Sequence, residues 1–322
     1  MSGLADAVLA SPHVSPLTLS PLSSLFTNYY CTAINMQAPL ELPLRILSHN
    51  IRFATSSLFK GERPWSDRKQ PLVNELLYNT RHLDAFICLQ EVLHSQLVDI
   101  LSGVNHGSQE QEQSWAYIGV GRDDGKGAGE YSPILYRPAV WHLRHWETIW
   151  LSQTPAVPSK GWDASSIRIA TIGIFTHRAS RQTVLAMNTH LDDQGSHSRF
   201  EAARMILQKV HEYKDGGWGS LISGVFLSGD LNSEEYQEAY QVFTAANSPL
   251  NDSAKLVDPK EHYGDRTTWT GFGHEPEPPS RLDYIFLDQS WKVQGYAVLP
   301  NRSDGGLFNS DHRAVVTDAV LQ

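Results

Sequence analysis

Cysteine is almost absent from this 322-residue chain: Cys31 and Cys88 are the only two, and they stand far apart. That excludes a disulfide framework and a thiolate metal site, and fits a reducing compartment. No apolar run approaches the length of a membrane-spanning helix. The first forty residues contain neither Lys nor Arg, which excludes the basic start of a secretory signal and the arginines of a mitochondrial presequence. Their interleaved Ser, Pro and Thr predict a poorly ordered extension over residues 1–40, then one domain over 41–322, cytoplasmic by default. Basic residues are also in the minority, 26 Lys and Arg against 35 acids for a net charge of −9. That balance argues against a tight, sequence-independent grip on duplex DNA, which needs a broad basic surface. It leaves room for a locally basic pocket.

What is present is a core-forming composition, 41% hydrophobic with nine tryptophans, arranged as short apolar runs separated by turn signals. Strands are expected over Leu44–His49, Ala85–Leu89, Trp115–Val120, Pro133–Tyr136, Ile167–Phe175, Thr183–Asn188, Val225–Leu227, Leu282–Leu287 and Ala314–Val320. Helices are expected over Asp67–Arg81, Leu93–Leu101 and Ser198–Tyr213, with Phe200, Ala203, Leu207 and Val210 marking one face of the last. A fourth is expected directly after Ser233. Strands outnumber helices and several lack an intervening helix, so the expected class is α+β, with mostly antiparallel sheets flanked by helices. Gly121–Gly129 and Gly271–Pro279 read as loops; the first lacks the Gly-Lys-Ser/Thr ending of a phosphate-binding P-loop and reads as a mobile surface segment.

The stretch FLSGDLNSEE ends an apolar run at a glycine and then sets Asp230 and Asn232 two residues apart, on one side of an extended chain. Other expected strands end alike. RILSHN closes on Asn50, FICLQE on Glu91, and VLAMNTHLDD delivers Asn188, His190 and Asp192. SRLDYIF embeds Asp283 in an apolar run, where an unpaired charge is costly. FNSDHRAVV sets Asp311 and His312 before the last strand. Singly, each has a structural explanation: Asn50 as a turn cap, Glu91 as a helix start, Asp283 paired with Arg281, His190 as a core histidine. Together they point to one polar site. Carboxylates and an amide without Cys or HExxH spacing suit Mg²⁺ or Mn²⁺ rather than structural zinc. Such a cation beside a positioned water and a histidine is the apparatus of a phosphoester hydrolase.

The ordered set HNIR, LQEV, NTHLD, GDLN, RLDYIF and SDH, from about Leu44 to the C-terminus, resembles the endonuclease/exonuclease/phosphatase superfamily. The resemblance implies a four-layer αββα sandwich. By motif, it implies that Glu91 is the principal metal ligand, with Asn50 beside it and Asp311 near or on the metal. Asp230 would orient or deprotonate the water, Asn232 and His190 would hold the phosphate, and His312 would contact phosphoryl oxygens with Asp283 fixing its tautomer.

Departures from the family pattern narrow the branch. Arg52 stands where the DNA-repair branch has an acid, and is grouped here with Asn50 among substrate-contacting residues. His190 replaces a tyrosine, and the Trp-Cys-Asp-Arg motif of the inositol-polyphosphate branch is missing. PWSDRK, GEYSPILYR and KGWDASSIRIAT are similar to a bacterial and fungal branch, in which THxDH is usual and Asp193 departs. Glu130, Trp162, Arg199 and Trp269 are expected to line the pocket, the tryptophans either stacking on a ring or serving as core. The expected substrate is a small phosphate ester: a nucleotide, sugar phosphate or inositol phosphate. An RNA or single-strand nuclease and a non-catalytic binding protein are the alternatives; intact Asp-x-Asn and Asp-His pairs weigh against the last. No membrane partner is expected, and the oligomeric state is left open.

Overall fold

Alternation along the strands decides how this chain layers. The computed structural model describes residues 41–81, 84–106, 114–273 and 278–322; the extension expected over 1–40 and the middle of the loop expected over Gly271–Pro279 lie outside them. In chain order the elements are β1 (Leu42–Asn50), α1 (Trp65–Thr80), β2 (Ala85–Gln90), α2 (His94–Val104), β3 (Ala116–Ile118) and β4 (Ile134–Tyr136). Then come β5 (Trp141–Trp150), β6 (Ile169–His177), β7 (Thr183–His190), α3 (Ser196–Asp215), β8 (Ile222–Asp230) and α4 (Glu238–Phe243). The last are β9 (Leu250–Asp252), β10 (His262–Gly264), β11 (Asp283–Asp288), β12 (Trp291–Val298) and β13 (Val315–Leu321).

They form a seven-stranded sheet, ordered β10-β12-β13-β1-β2-β4-β3, and a six-stranded sheet, ordered β5-β6-β7-β8-β11-β9. Pairing is mostly antiparallel; β1 with β2 and β7 with β8 run parallel. Inner faces of both sheets meet in one apolar layer that includes Leu44, Ile46, Phe86, Cys88, Val184, Ala186, Phe226 and Ile285. The intervening residues face outward: Leu47, Ile87 and Leu89 onto α1 and α2, and Leu185, Met187, Val225 and Phe286 onto α3 and α4. Both faces of the central strands are thus buried, which is why they read as continuous apolar runs. The result is the expected four-layer αββα sandwich. Among the described residues no helix is long and apolar enough to cross a membrane.

The inner faces change character along their length. Residues two apart run Leu44, Ile46, Ser48, Asn50 on β1; Phe86, Cys88, Gln90 on β2; Val184, Ala186, Asn188, His190 on β7; and Phe226, Ser228, Asp230 on β8. Antiparallel β11 runs the other way, from Asp283 to Ile285 and Leu287. A fatty layer therefore gives way to a polar floor and then to ionisable side chains. In the floor, the Gln90 amide donates to Asn188 Oδ1 across the sheets (2.8 Å) and to Ser48 Oγ (3.1 Å), while Asn188 Nδ2 donates to the Leu89 and Pro133 carbonyls. Asn188, read in the sequence as delivered beside His190, belongs to this floor.

Several local expectations shift. β5 and β12 escaped notice because His142, Arg144 and Glu147, and Lys292 and Gln294, interrupt their apolar residues on half-exposed edges of the fold. The buried stripe of α3 is Ala202, Ala203, Ile206, Val210 and Tyr213, and Phe200 faces outward. No helix starts at Ser233: Asn232 takes a left-handed φ of 46°, the Gln237 side chain accepts from the Glu234 N–H (2.7 Å), and α4 begins at Glu238.

Phe86 anchors the interlayer core, its ring centroid 4.7 Å from Trp141, 4.9 Å from Phe175 and 5.4 Å from Phe226. Phe86→Ala should cost about 3–5 kcal/mol of stability, read as a lower urea midpoint; a loss under about 1 kcal/mol would show that the two sheets do not depend on this contact.

Candidate active site

The sheet registers bring the polar strand ends together. His190 and Asp283 are both direct cross-strand partners of Asp230, so three ionisable side chains stand side by side on neighbouring strands. The run ends at a glycine for a steric reason: a Cβ on Gly229 would lie 2.3 Å from the Thr189 carbonyl oxygen. On the other sheet Asn50 is paired with Gln90, placing Glu91 one residue further on. Asp311 and His312 arrive on the segment leading into β13.

A single amide joins the two halves. Asn50 Nδ2 donates to Glu91 Oε1 and to Asp230 Oδ2, both at 2.9 Å, and its Oδ1 accepts from the Arg52 N–H (3.0 Å). Glu91 Oε2 accepts from the Phe53 N–H (3.1 Å) and lies 3.7 Å from Arg52 Nη1. Asp230 Oδ1 accepts from the Asn232 N–H (2.9 Å). His312 Nδ1–H donates to Asp283 Oδ2 (2.8 Å), and its Nε2 is 3.7 Å from Asp230 Oδ2. His190 Nε2 accepts from Asn232 Nδ2 (3.0 Å), whose other hydrogen goes to the Leu191 carbonyl (3.1 Å). Asp283 thus pairs with His312; Arg281 pairs with Asp252 (2.7 Å) and Glu235 (2.8 Å) instead.

Arg68 of PWSDRK, fully buried, holds this arrangement from behind. Its guanidinium donates to the carbonyls of Ile51 (2.8 Å), Asn309 (2.9 Å) and Arg52 (3.2 Å), tying both loops of the first sheet to α1.

Burial and crowding set the charges. Burial and then the neighbouring Asp283 carboxylate push Asp230 up to about 7. Glu130 is pushed up to about 7 by burial and by Glu91, and Asp311 is also raised, by burial first and further by Glu91. Burial opposes protonation of His312, but Asp283, Asp230 and Asp311 outweigh it and hold the imidazole well above its ordinary value. His190 goes the other way, lowered by burial and by Arg168 and Arg122, in keeping with a neutral ring whose Nε2 accepts. Glu91 and Asp311 offer hard carboxylate oxygens, and Asn50 has an amide oxygen that here accepts from the Arg52 N–H; after burial, Glu91 raises the proton affinity of Asp311. This donor set fits a hard divalent cation.

The site opens into a cavity of about 540 Å³ lined by Arg52, Glu91, Glu130, His190, Asp230, Asn232, Trp269, Asp311 and His312. Arg52 lies between the rings of Phe53 (4.2 Å) and Phe59 (4.4 Å). Two expected lining residues are not among those lining it. The Arg199 guanidinium is taken by Glu238 and the Asp192 carbonyl. Trp162, half-buried, lies beside His197 with the rings tilted 52° and their centroids 6.1 Å apart, and the adjacent Asp163 accepts from the Ser198 N–H (2.7 Å) at the start of α3.

Conversely, Arg122 and Arg168 line the cavity unforeseen. Gly121–Gly129 is a braced turn rather than a loose surface loop: Asp124 Oδ1 accepts from the Lys126 and Ala128 N–H groups, and Trp150 Nε1–H donates to the Arg122 carbonyl (2.7 Å). Arg168 carried a usable signal, being a charge inside the apolar run SIRIAT, the same sign that singled out Asp283.

The chain belongs to the endonuclease/exonuclease/phosphatase family, whose sequence model matches residues 47–312. No curated protein sequence matches it. Among solved structures it is similar to an endonuclease/exonuclease/phosphatase family protein from Bacteroides thetaiotaomicron, at 31% identity over 88% of this chain and 99% of that one, TM-score 0.76. It is also similar to the mannosyl-6-phosphatase of that organism, at 31% identity over 86% of this chain and all of the other, TM-score 0.75. The human nocturnin catalytic domain, at 20% identity over 87% and 94% of the two chains and TM-score 0.62, shares the fold.

Asp192 follows His190 by two residues. Burial would raise its carboxyl, but the N–H groups of Ser165, Gly195 and Ser166, with Arg168, overcome this and hold it well below the usual range. A depressed folded value stabilises fully above the unfolded carboxyl value, about 3.9, and is lost as pH falls through the folded value. Asp192→Asn should therefore cost about 1–3 kcal/mol at pH 7, with the gap in Tm to wild type narrowing below about pH 4. A gap that is constant or widens in acid would refute the assignment.

Proposed function

We propose that this protein hydrolyses a small phosphate ester with a divalent cation, Mg²⁺ or Mn²⁺. The observation that carries the proposal is the convergence of Glu91, Asp230, Asp311 and His312 on one cavity, with the fully buried Asn50 and Asp283 holding them from behind. Glu91, Asn50 and Asp311 would hold the cation, which supplies positive charge to a phosphoryl oxygen. Asp230, raised into the neutral range, is suited to take a proton from the attacking water. Asp283 accepts from His312 Nδ1–H, and the ring, held protonated by its acidic neighbours, turns Nε2–H toward Asp230 and the phosphoryl position. Asn232 and His190 orient each other and flank that position, while Arg52 adds a fixed positive charge beside Glu91.

A small substrate is supported by the acid-rich cavity, the net charge of −9, and the likeness to a mannosyl-6-phosphatase at 31% identity. A nuclease that grips several phosphates needs a basic track.

Chelation with EDTA should abolish turnover of phosphate esters, and added Mg²⁺ or Mn²⁺ should restore it; full turnover in metal-free protein, verified by elemental analysis, would end the proposal. Asp230→Asn and His312→Ala should each lower kcat by roughly 10²-fold or more, with circular dichroism unchanged. Near-normal turnover in a folded variant would remove that residue from the reaction.

A further inference from the structure

Two guanidinium–carboxylate pairs line the same cavity and have no part in the chemistry above. Arg122 Nη1 donates to Glu130 Oε2 at 2.8 Å, and Arg168 Nη2 donates to Asp193 Oδ1 at 2.7 Å. Both pairs are preorganised. The braced turn and the Trp150 indole fix Arg122, and Asp192 takes Arg168 Nε at 3.2 Å. Arg168 is only 6% exposed, yet its Nη1 has no hydrogen-bond partner among the described residues, and neither has Arg122 Nε. Buried donors of this kind are rarely left unmatched. Ser166, Gln194 and Gln237 complete a polar wall.

We propose that these two pairs read hydroxyl groups on the alcohol released from the phosphate, so that the substrate is a monoester of a neutral polyhydroxylated alcohol such as a sugar. The inference rests on the phosphoester-hydrolase reading. A hydroxyl both donates and accepts, and a guanidinium beside a carboxylate offers it both partners at once. A second anionic group would fare worse, meeting Glu130, Asp193 and Glu234 while both arginines are already paired. A nucleobase needs flat apolar faces; Phe53 and Phe59 are both engaged with Arg52, which leaves Trp269, a surface that the C–H face of a sugar ring also suits. In the reaction the P–O bond to the alcohol breaks and a P–O bond to water oxygen forms. One water proton ends on the alcohol, and inorganic phosphate is the other product.

The test compares kcat/KM, at saturating Mg²⁺, for a hexose 6-phosphate, phenyl phosphate, a hexose 1,6-bisphosphate and a nucleoside 5′-monophosphate. The hexose 6-phosphate should exceed phenyl phosphate by roughly 10-fold or more. Asp193→Ala, at a half-exposed position where folding is not at risk, and Arg122→Gln should each shrink that ratio roughly 10-fold, the scale of one hydrogen bond of about 1.4 kcal/mol. Calorimetric binding of the hexose 6-phosphate in EDTA should weaken in step, a readout independent of turnover. An unchanged ratio in both folded variants, or preference for the bisphosphate or the nucleotide, would overturn the assignment. Failure of the Mg²⁺-loaded wild type to turn over every ester, phenyl phosphate included, would instead overturn the hydrolase reading.

Discussion

Negative charge crowded at one end of two sheets is the constraint on which the rest of this structure depends. Asp230, Asp283 and Asp311 are buried and Glu91 stands half-buried beside them, a setting where like charges in low dielectric cost several kcal/mol unless compensated. The compensation is piecemeal. Asn50 donates to two of the four, backbone N–H groups of Phe53 and Asn232 serve two, and His312 takes Asp283. Arg52 is the nearest guanidinium, 3.7 Å from Glu91. Burial first, and then the remaining negative charge, push Asp230 and Asp311 toward protonation.

The backbone is bent to achieve this crowding. Arg52, Glu91 and Asn232 adopt left-handed φ of 57°, 59° and 46°, each at or just beyond the end of a central strand. Such conformations in residues with a Cβ cost of order 1–3 kcal/mol each and persist where the surroundings over-determine them. Here the determinants are visible: the Arg52 N–H goes to Asn50, the Glu91 carboxylate is held by Asn50 and Phe53, and the Asn232 N–H goes to Asp230. Arg68 then holds the 51–52 and 309 carbonyls from α1. The strand ends and the side chains they present are one unit.

Much of this was legible in the sequence because it obeys a period of two. The strands buried on both faces announced themselves as apolar runs, and the polar residues closing them, Asn50, Glu91, His190, Asp230 and Asp283, stood out against that background. What escaped notice lacked that contrast. β5 and β12 carry charges along half-exposed faces and resemble loops; the stripe of α3 is built on alanines, so the larger Phe200 misdirected the choice of face. Arg199 and Trp162, expected in the pocket lining, are engaged elsewhere: Glu238 takes the former and the latter lies beside His197. Arg122 sits in a glycine-rich turn whose order comes from Asp124, from the Tyr131 hydroxyl on the Lys126 carbonyl and from Trp150, contacts that no local pattern reveals.

The two sheets contribute unlike halves to the cavity, and this makes it a gauge of how the layers sit. Asn50, Glu91 and Asp311 ride on one sheet and its loops; His190, Asp230 and Asp283 ride on the other. Close-packed interiors transmit displacement rather than absorb it, and a misplacement of about 1 Å is enough to cost reactivity on the order of 10²-fold. A small slide of one layer over the other, too slight to unfold anything, would part Asn50 from Asp230 before any strand pairing failed. Residues as remote as Phe86 and Trp141 therefore act as shims, setting the height and angle at which the two halves meet.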